Sequence, residues 1–184
     1  FDPEMRMALE EFTRYLPPDI RATVRKIAPM TGERAEAGVW GKYFRESGEI
    51  HLNLKGIAET GSLEGLRGTK TGVLAHEVAH AIDIPGFRYS GKDEWHRLLA
   101  EEPLSHYAKN FGGSQRATEE FAERFAQYLL EPHTLHTESP GKFAFMSKNF
   151  KDYGKIIATF DEREEAMRKM GTGLLGAFQD NSAI

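Results

Sequence analysis

Residues 73 to 83, VLAHEVAHAID, place the tightest constraint on how this chain can fold. A helix through them, capped at Thr69 or Thr71, has to finish by Ile84. Pro85-Gly86 cannot continue it, because the residue before a proline is pushed out of helical space. Leu74, Val78, Ala81 and Ile82 then form one apolar stripe, while His76, His80 and Asp83 share the opposite side. So apolar a helix belongs in a core, where a stripe of imidazoles and a carboxylate is costly unless something satisfies it. A fold that accepts this helix must bring polar partners or a metal ion to that stripe.

Histidines four residues apart on a helix project to one side, about a turn apart, and can bind one tetrahedral ion. Glu77 points about 100° round the helix, too far to ligate but close enough to take a proton from a metal-bound water. The bland alternative is a core helix with two hydrogen-bonded histidines. The chain has no cysteine, so any metal must be held by nitrogen and oxygen. A catalytic zinc site takes three protein ligands and leaves the fourth position to water. A third histidine six residues beyond His80 is ruled out, since Gly86 stands there.

The remaining source is TEEFAERFAQYLLEP, residues 118 to 132. Phe121, Phe125, Tyr128 and Leu129 make its apolar stripe, and Glu119 and Glu123 lie four apart on a flank relieved by Ala122 and Ala126. Glu119 is the first choice for third ligand, with Glu120 and Glu123 as alternatives, and Glu123 can also accept the ring N–H of a ligating histidine. Away from the HEVAH motif each of these would read as part of a solvated helix face.

The rest of the chain places these segments. With 184 residues and 40% hydrophobic content it supports one core. We therefore expect a single domain over 1–184, made of N-terminal helices (1–36), a hairpin with the motif helix (37–84) and a helical part carrying the third ligand (85–184). Met5, Leu9, Phe12 and Leu16 mark a helix over 4–16 stopped by Pro17-Pro18, and a second is expected over 19–28, with Arg21, Arg25 and Lys26 on its outer face. GVWGKYF and EIHLNL, joined through Arg45-Glu46-Ser47-Gly48, read as a hairpin. Residues 56–70 read as a glycine-rich loop, 92–102 as a short helix, 103–116 as a loop and 115–131 as a long helix. A polar segment then runs to about 150, with no helix expected at His133 and His136 after Pro132, and a last helix covers 153–170. The fold class is α+β: a small, mostly antiparallel sheet packed on the motif helix, with a mostly helical C-terminal half.

A net charge of -4 and a pI near 6.0, with no basic stripe, speak against nucleic acid as a partner. No apolar run approaches the roughly 20 residues of a membrane span, and no signal segment opens the chain. It begins at Phe1 rather than Met and reads as a soluble piece of a longer polypeptide, one that could be delivered or secreted with it.

HEVAHAID, the tyrosine of SHYAKN and the run Glu119-Glu120-Phe121-Ala122-Glu123 together resemble the anthrax lethal factor family of gluzincin zinc metallopeptidases, which includes the Pro-Pro endopeptidases. The resemblance covers about residues 37 to 132. It implies a zincin-like fold with EIHLNL as the edge strand beside the active-site helix. It further implies Zn2+ held by His76, His80 and Glu119, Glu77 as general base, Tyr107 as oxyanion stabiliser, and a protein or peptide substrate. Relatives of this kind serve as toxin or effector proteases or sit in phage and mobile-element polyproteins.

Read without the family, Tyr107 is either a hydrogen-bond donor to a tetrahedral intermediate or a half-buried core aromatic, with His106 as the alternative donor. Asp83 orients an imidazole or, in the favoured reading, satisfies nearby backbone. His51, His96, His133 and His136 lack partner spacing and read as surface or satisfied polar residues. The competing function is a catalytically inactive zincin-fold module that binds a partner protein through its edge strand.

Overall fold

The computed structural model describes residues 18–53 and 70–150. The helices expected over 4–16 and 153–170, and nearly all of the 56–70 loop, lie outside the described residues. Within them the chain is α+β, with a three-stranded mixed sheet and a helical second half. No helix among the described residues is long and apolar enough to cross a membrane.

The first part departs from expectation. Only Pro18–Arg21 is helical (α1), and Lys26–Pro29 is a strand (β1) rather than the end of a second helix. The spacing of Ile20, Val24 and Ile27 suits a helix, but β-branched residues suit a pleated surface better and tertiary pairing decides. Ile27 pairs in register with Ile50, Arg25 N donates to Gly48 O at 2.7 Å and Met30 N donates to Leu52 O at 2.8 Å. A short helix, α2 (Glu33–Glu36), leads to the hairpin of β2 (Gly41–Phe44) and β3 (Glu49–Leu52), which forms where the sequence places it. Gly48 closes its turn at φ 69°, a left-handed conformation that glycine adopts without steric cost.

Strand order is β1-β3-β2, with β1 parallel and β2 antiparallel to β3. The sheet is therefore mixed, not mostly antiparallel, because a strand upstream of the hairpin joins it through α2. It also follows that β3, which carries EIHL, is the central strand. Among the described residues the edge on the hairpin side is β2. Alternation sends Tyr43, Ile50 and Leu52 into the core, while Lys42, Phe44, Glu49 and His51 take the other face.

The motif helix α3 (Lys70–Asp83) packs against β2 and β3 and against a long helix, α5 (Gly113–Leu130). Between them come α4 (Asp93–Glu101) and a 3-10 turn, Ala108–Asn110. The core joins Leu74 and Val78 of α3 to Trp95, Phe121, Phe125 and Phe145. Trp95 Nε1 donates to Ala117 O at 3.0 Å, which ties α4 to α5. The expected polar segment from 132 to 150 is instead two helices, α6 (Pro132–Glu138) and α7 (Pro140–Asn149), so His133 and His136 are helical after all. Pro132 and Pro140 stand at helix starts, where the missing N–H would have had no intrahelical partner anyway. One proline thus stops α5 and starts α6.

Candidate metal centre

α3 and α5 bring three of the expected residues together. His76 Nε2 lies 2.9 Å from Glu119 Oε2, His80 Nε2 lies 3.1 Å from His76 Nε2, and His80 Nε2 lies 3.3 Å from Glu119 Oε2. In a tetrahedral site with ligand bonds of about 2.0–2.1 Å, neighbouring donor atoms stand about 3.3 Å apart. The observed triangle is slightly tighter than that. His76 and His80 are 4% and 7% exposed, so their ring nitrogens have little water to turn to.

The chemistry of the donors makes the same point. His76 Nδ1 lies 2.7 Å from Glu123 Oε1, close enough to pair the ring N–H with the carboxylate, although the approach is too bent for a well-formed hydrogen bond. A proton kept on Nδ1 leaves the Nε2 lone pair facing the triangle. Two imidazole nitrogens and a carboxylate oxygen that converge in a buried space repel one another unless positive charge lies among them. The residues present therefore fit a divalent cation. The same pull shows in proton affinity. Burial opposes charging His76, but the carboxylates of Glu119 and Glu123 against its two ring nitrogens outweigh that and lift its pKa to about 9. Burial would raise Glu119 as well, yet its contacts with His76 and His80 hold the carboxyl far below the usual carboxylate range.

Glu77 stays clear of the triangle and is 7% exposed, packed against β2. The contact is close because β2 has Gly41 there: a Cβ at that position would meet Val73 Cγ1 at 2.8 Å, Glu77 Cγ at 2.9 Å and Glu77 Oε1 at 3.0 Å. Half-buried Tyr107 lies edge-on to His76, ring centroids 5.7 Å apart at 76°. Neighbouring His106 is exposed, so the aromatic beside the metal group is Tyr107. Asp83, fully buried, accepts from Tyr89 N and Ser90 N at 2.8 Å each through Oδ1, which is the structural role. His51 pairs with Glu49 at 2.9 Å, and His96, His133 and His136 are exposed.

Glu120, an alternative ligand in sequence, points elsewhere. It is fully buried and its Oε1 accepts from Arg124 Nε and Lys142 Nζ, both at 2.7 Å. The i, i+4 spacing of Glu120 and Arg124 was a readable signal for this pair, but nothing local announces Lys142, which arrives from α7. Compared with protein-family models, with curated proteins and with solved structures, the chain matches none.

Proposed function

We propose that this chain is a zinc-dependent endopeptidase domain of the gluzincin type, similar to the lethal-factor-like peptidases and working as the protease part of a larger toxin, effector or mobile-element protein. The observation that carries this reading is the convergence of His76 Nε2, His80 Nε2 and Glu119 Oε2 with Glu77 beside them on the same helix. Zinc suits a buried set of two imidazoles and one carboxylate, and when bound it supplies Lewis acidity that brings a coordinated water to a pKa of about 7.

The chain's own residues do the rest. Glu77, outside the ligand set, accepts the proton of the attacking water and passes it to the departing amine. Tyr107 donates a hydrogen bond to the oxygen that gains charge, a contribution of about 3–4 kcal/mol where such a donor is removed. Glu123 holds the His76 ring in its ligating orientation. The edge that β2 presents among the described residues, one residue of which touches Glu77, pairs with the main chain of an extended peptide and aligns its scissile bond with the general base.

The test is cleavage of casein by the zinc-loaded protein, with Glu77→Gln as control. The variant keeps one zinc per chain and loses cleavage. Equal cleavage by both would dismiss the peptidase reading, and zinc binding without any cleavage by the wild type would leave a binding module.

A further inference from the structure

α5 presents two consecutive carboxylates to two different tasks. Glu119 faces the histidine pair, and Glu120 enters a buried group that ends on the segment before Tyr107. Glu120 Oε1 accepts from Arg124 Nε and Lys142 Nζ, and its Oε2 accepts from Ser105 N at 2.9 Å. The same two cations reach that segment directly: Lys142 Nζ donates to Pro103 O at 2.8 Å and Arg124 Nη2 donates to it at 2.9 Å. Ser105 Oγ in turn accepts from Ala108 N at 3.2 Å, across Tyr107. Residues 103 to 105 are thus gripped at a carbonyl and at an amide, two residues before the ring that lies against His76.

We propose that Glu120, Arg124 and Lys142 are positioning residues that hold Tyr107 against the metal centre. Burial makes the arrangement specific. Lys142 and Glu120 side chains are fully buried, and charges are rarely kept that deep where a well-packed apolar pair would hold the core as well. What an apolar pair could not do is bond to Pro103 O and Ser105 N. Glu120 is paired with both cations, and Arg124 also meets the exposed Glu138 at 3.5 Å, so removing either cation leaves Glu120 with an ionic partner. The role given to Tyr107 rests on the peptidase reading; its placement does not.

The experiment uses the whole chain with its six tyrosines replaced by 3-fluorotyrosine, the Tyr107 signal being assigned by Tyr107→Phe. In the wild type the fluorine resonance is displaced from that of free fluorotyrosine and moves when Zn2+ is added. In Lys142→Met and in Arg124→Met it falls back towards the free position and loses its response, while zinc still binds at one ion per chain. Casein turnover drops roughly tenfold to a hundredfold in kcat with KM held. Adding Tyr107→Phe to either variant lowers it no further than Tyr107→Phe alone.

A wild-type resonance indifferent to zinc, or one unchanged in both variants, overturns the proposal. Should one variant fail to fold by circular dichroism, the other decides, and if neither folds the wild-type resonance does. Loss of casein cleavage everywhere with the fluorine behaviour intact sinks the peptidase reading and leaves the positioning role standing.

Discussion

His76 reaches two carboxylates of α5 at once: the nearer, through Nδ1, is Glu123 at 2.7 Å. A ligand ring held from behind keeps its orientation and its basicity. Glu123→Gln should therefore weaken zinc binding about 10- to 100-fold with the fold retained. Competition with a chromophoric chelator measures it, and an affinity equal to that of the wild type would show that Glu123 does not support the ring.

Gly41 sets how closely β2 approaches α3. Gly41→Ala places a methyl within 2.8 Å of Val73 Cγ1 and 2.9 Å of Glu77 Cγ, so strand and helix must separate. Overpacking of this kind costs about 1–3 kcal/mol. Urea unfolding should show that loss, and casein cleavage should fall while zinc stoichiometry holds, because His76 and His80 meet Glu119 of α5 and not the strand residue that gains the methyl.

Asp83 separates stability from metal binding. Its carboxylate accepts from Tyr89 N and Ser90 N, and Ser90 is buried. Asp83→Ala leaves those amides without their partner at a cost of about 1–3 kcal/mol for each buried one. We expect a lower unfolding midpoint with zinc affinity close to that of the wild type; the reverse pattern would make Asp83 part of the metal centre.

Glu120 and Lys142 should differ sharply as sites of substitution. Glu120→Ala removes the carboxylate that two buried cations share, which costs about 3–5 kcal/mol. Lys142→Met leaves the Glu120–Arg124 pair neutral and costs less. Denaturant unfolding of the two variants compares them directly, and equal losses would mean that the charges are not interdependent.

What could be read in the sequence was what periodicity writes locally. The helix through His76 and His80, the hairpin around Gly48 and the helix carrying Glu119 each have their own apolar period and stop signals, and the structure brings His76, His80 and Glu119 together. The rest depends on partners distant in sequence. Lys26–Pro29 is a strand because β3 offers it a ladder, which no window around Ile27 contains. The same pairing makes β3 central, so among the described residues the edge on the hairpin side is β2 and not the strand that carries EIHL. Pro132 and Pro140 open helices that a proline-as-terminator reading misses. Glu120 looks like its neighbours until Lys142 meets it from α7.

The central claim is that His76, His80 and Glu119 share one zinc ion. Zinc K-edge absorption on the zinc-loaded protein tests it most directly. The account predicts one ion per chain with two imidazole nitrogens and carboxylate oxygen at about 2.0–2.1 Å, and loss of that oxygen, with much weaker binding, in Glu119→Ala. A wild type that binds no zinc, or a Glu119→Ala variant with the same spectrum and affinity, would contradict it.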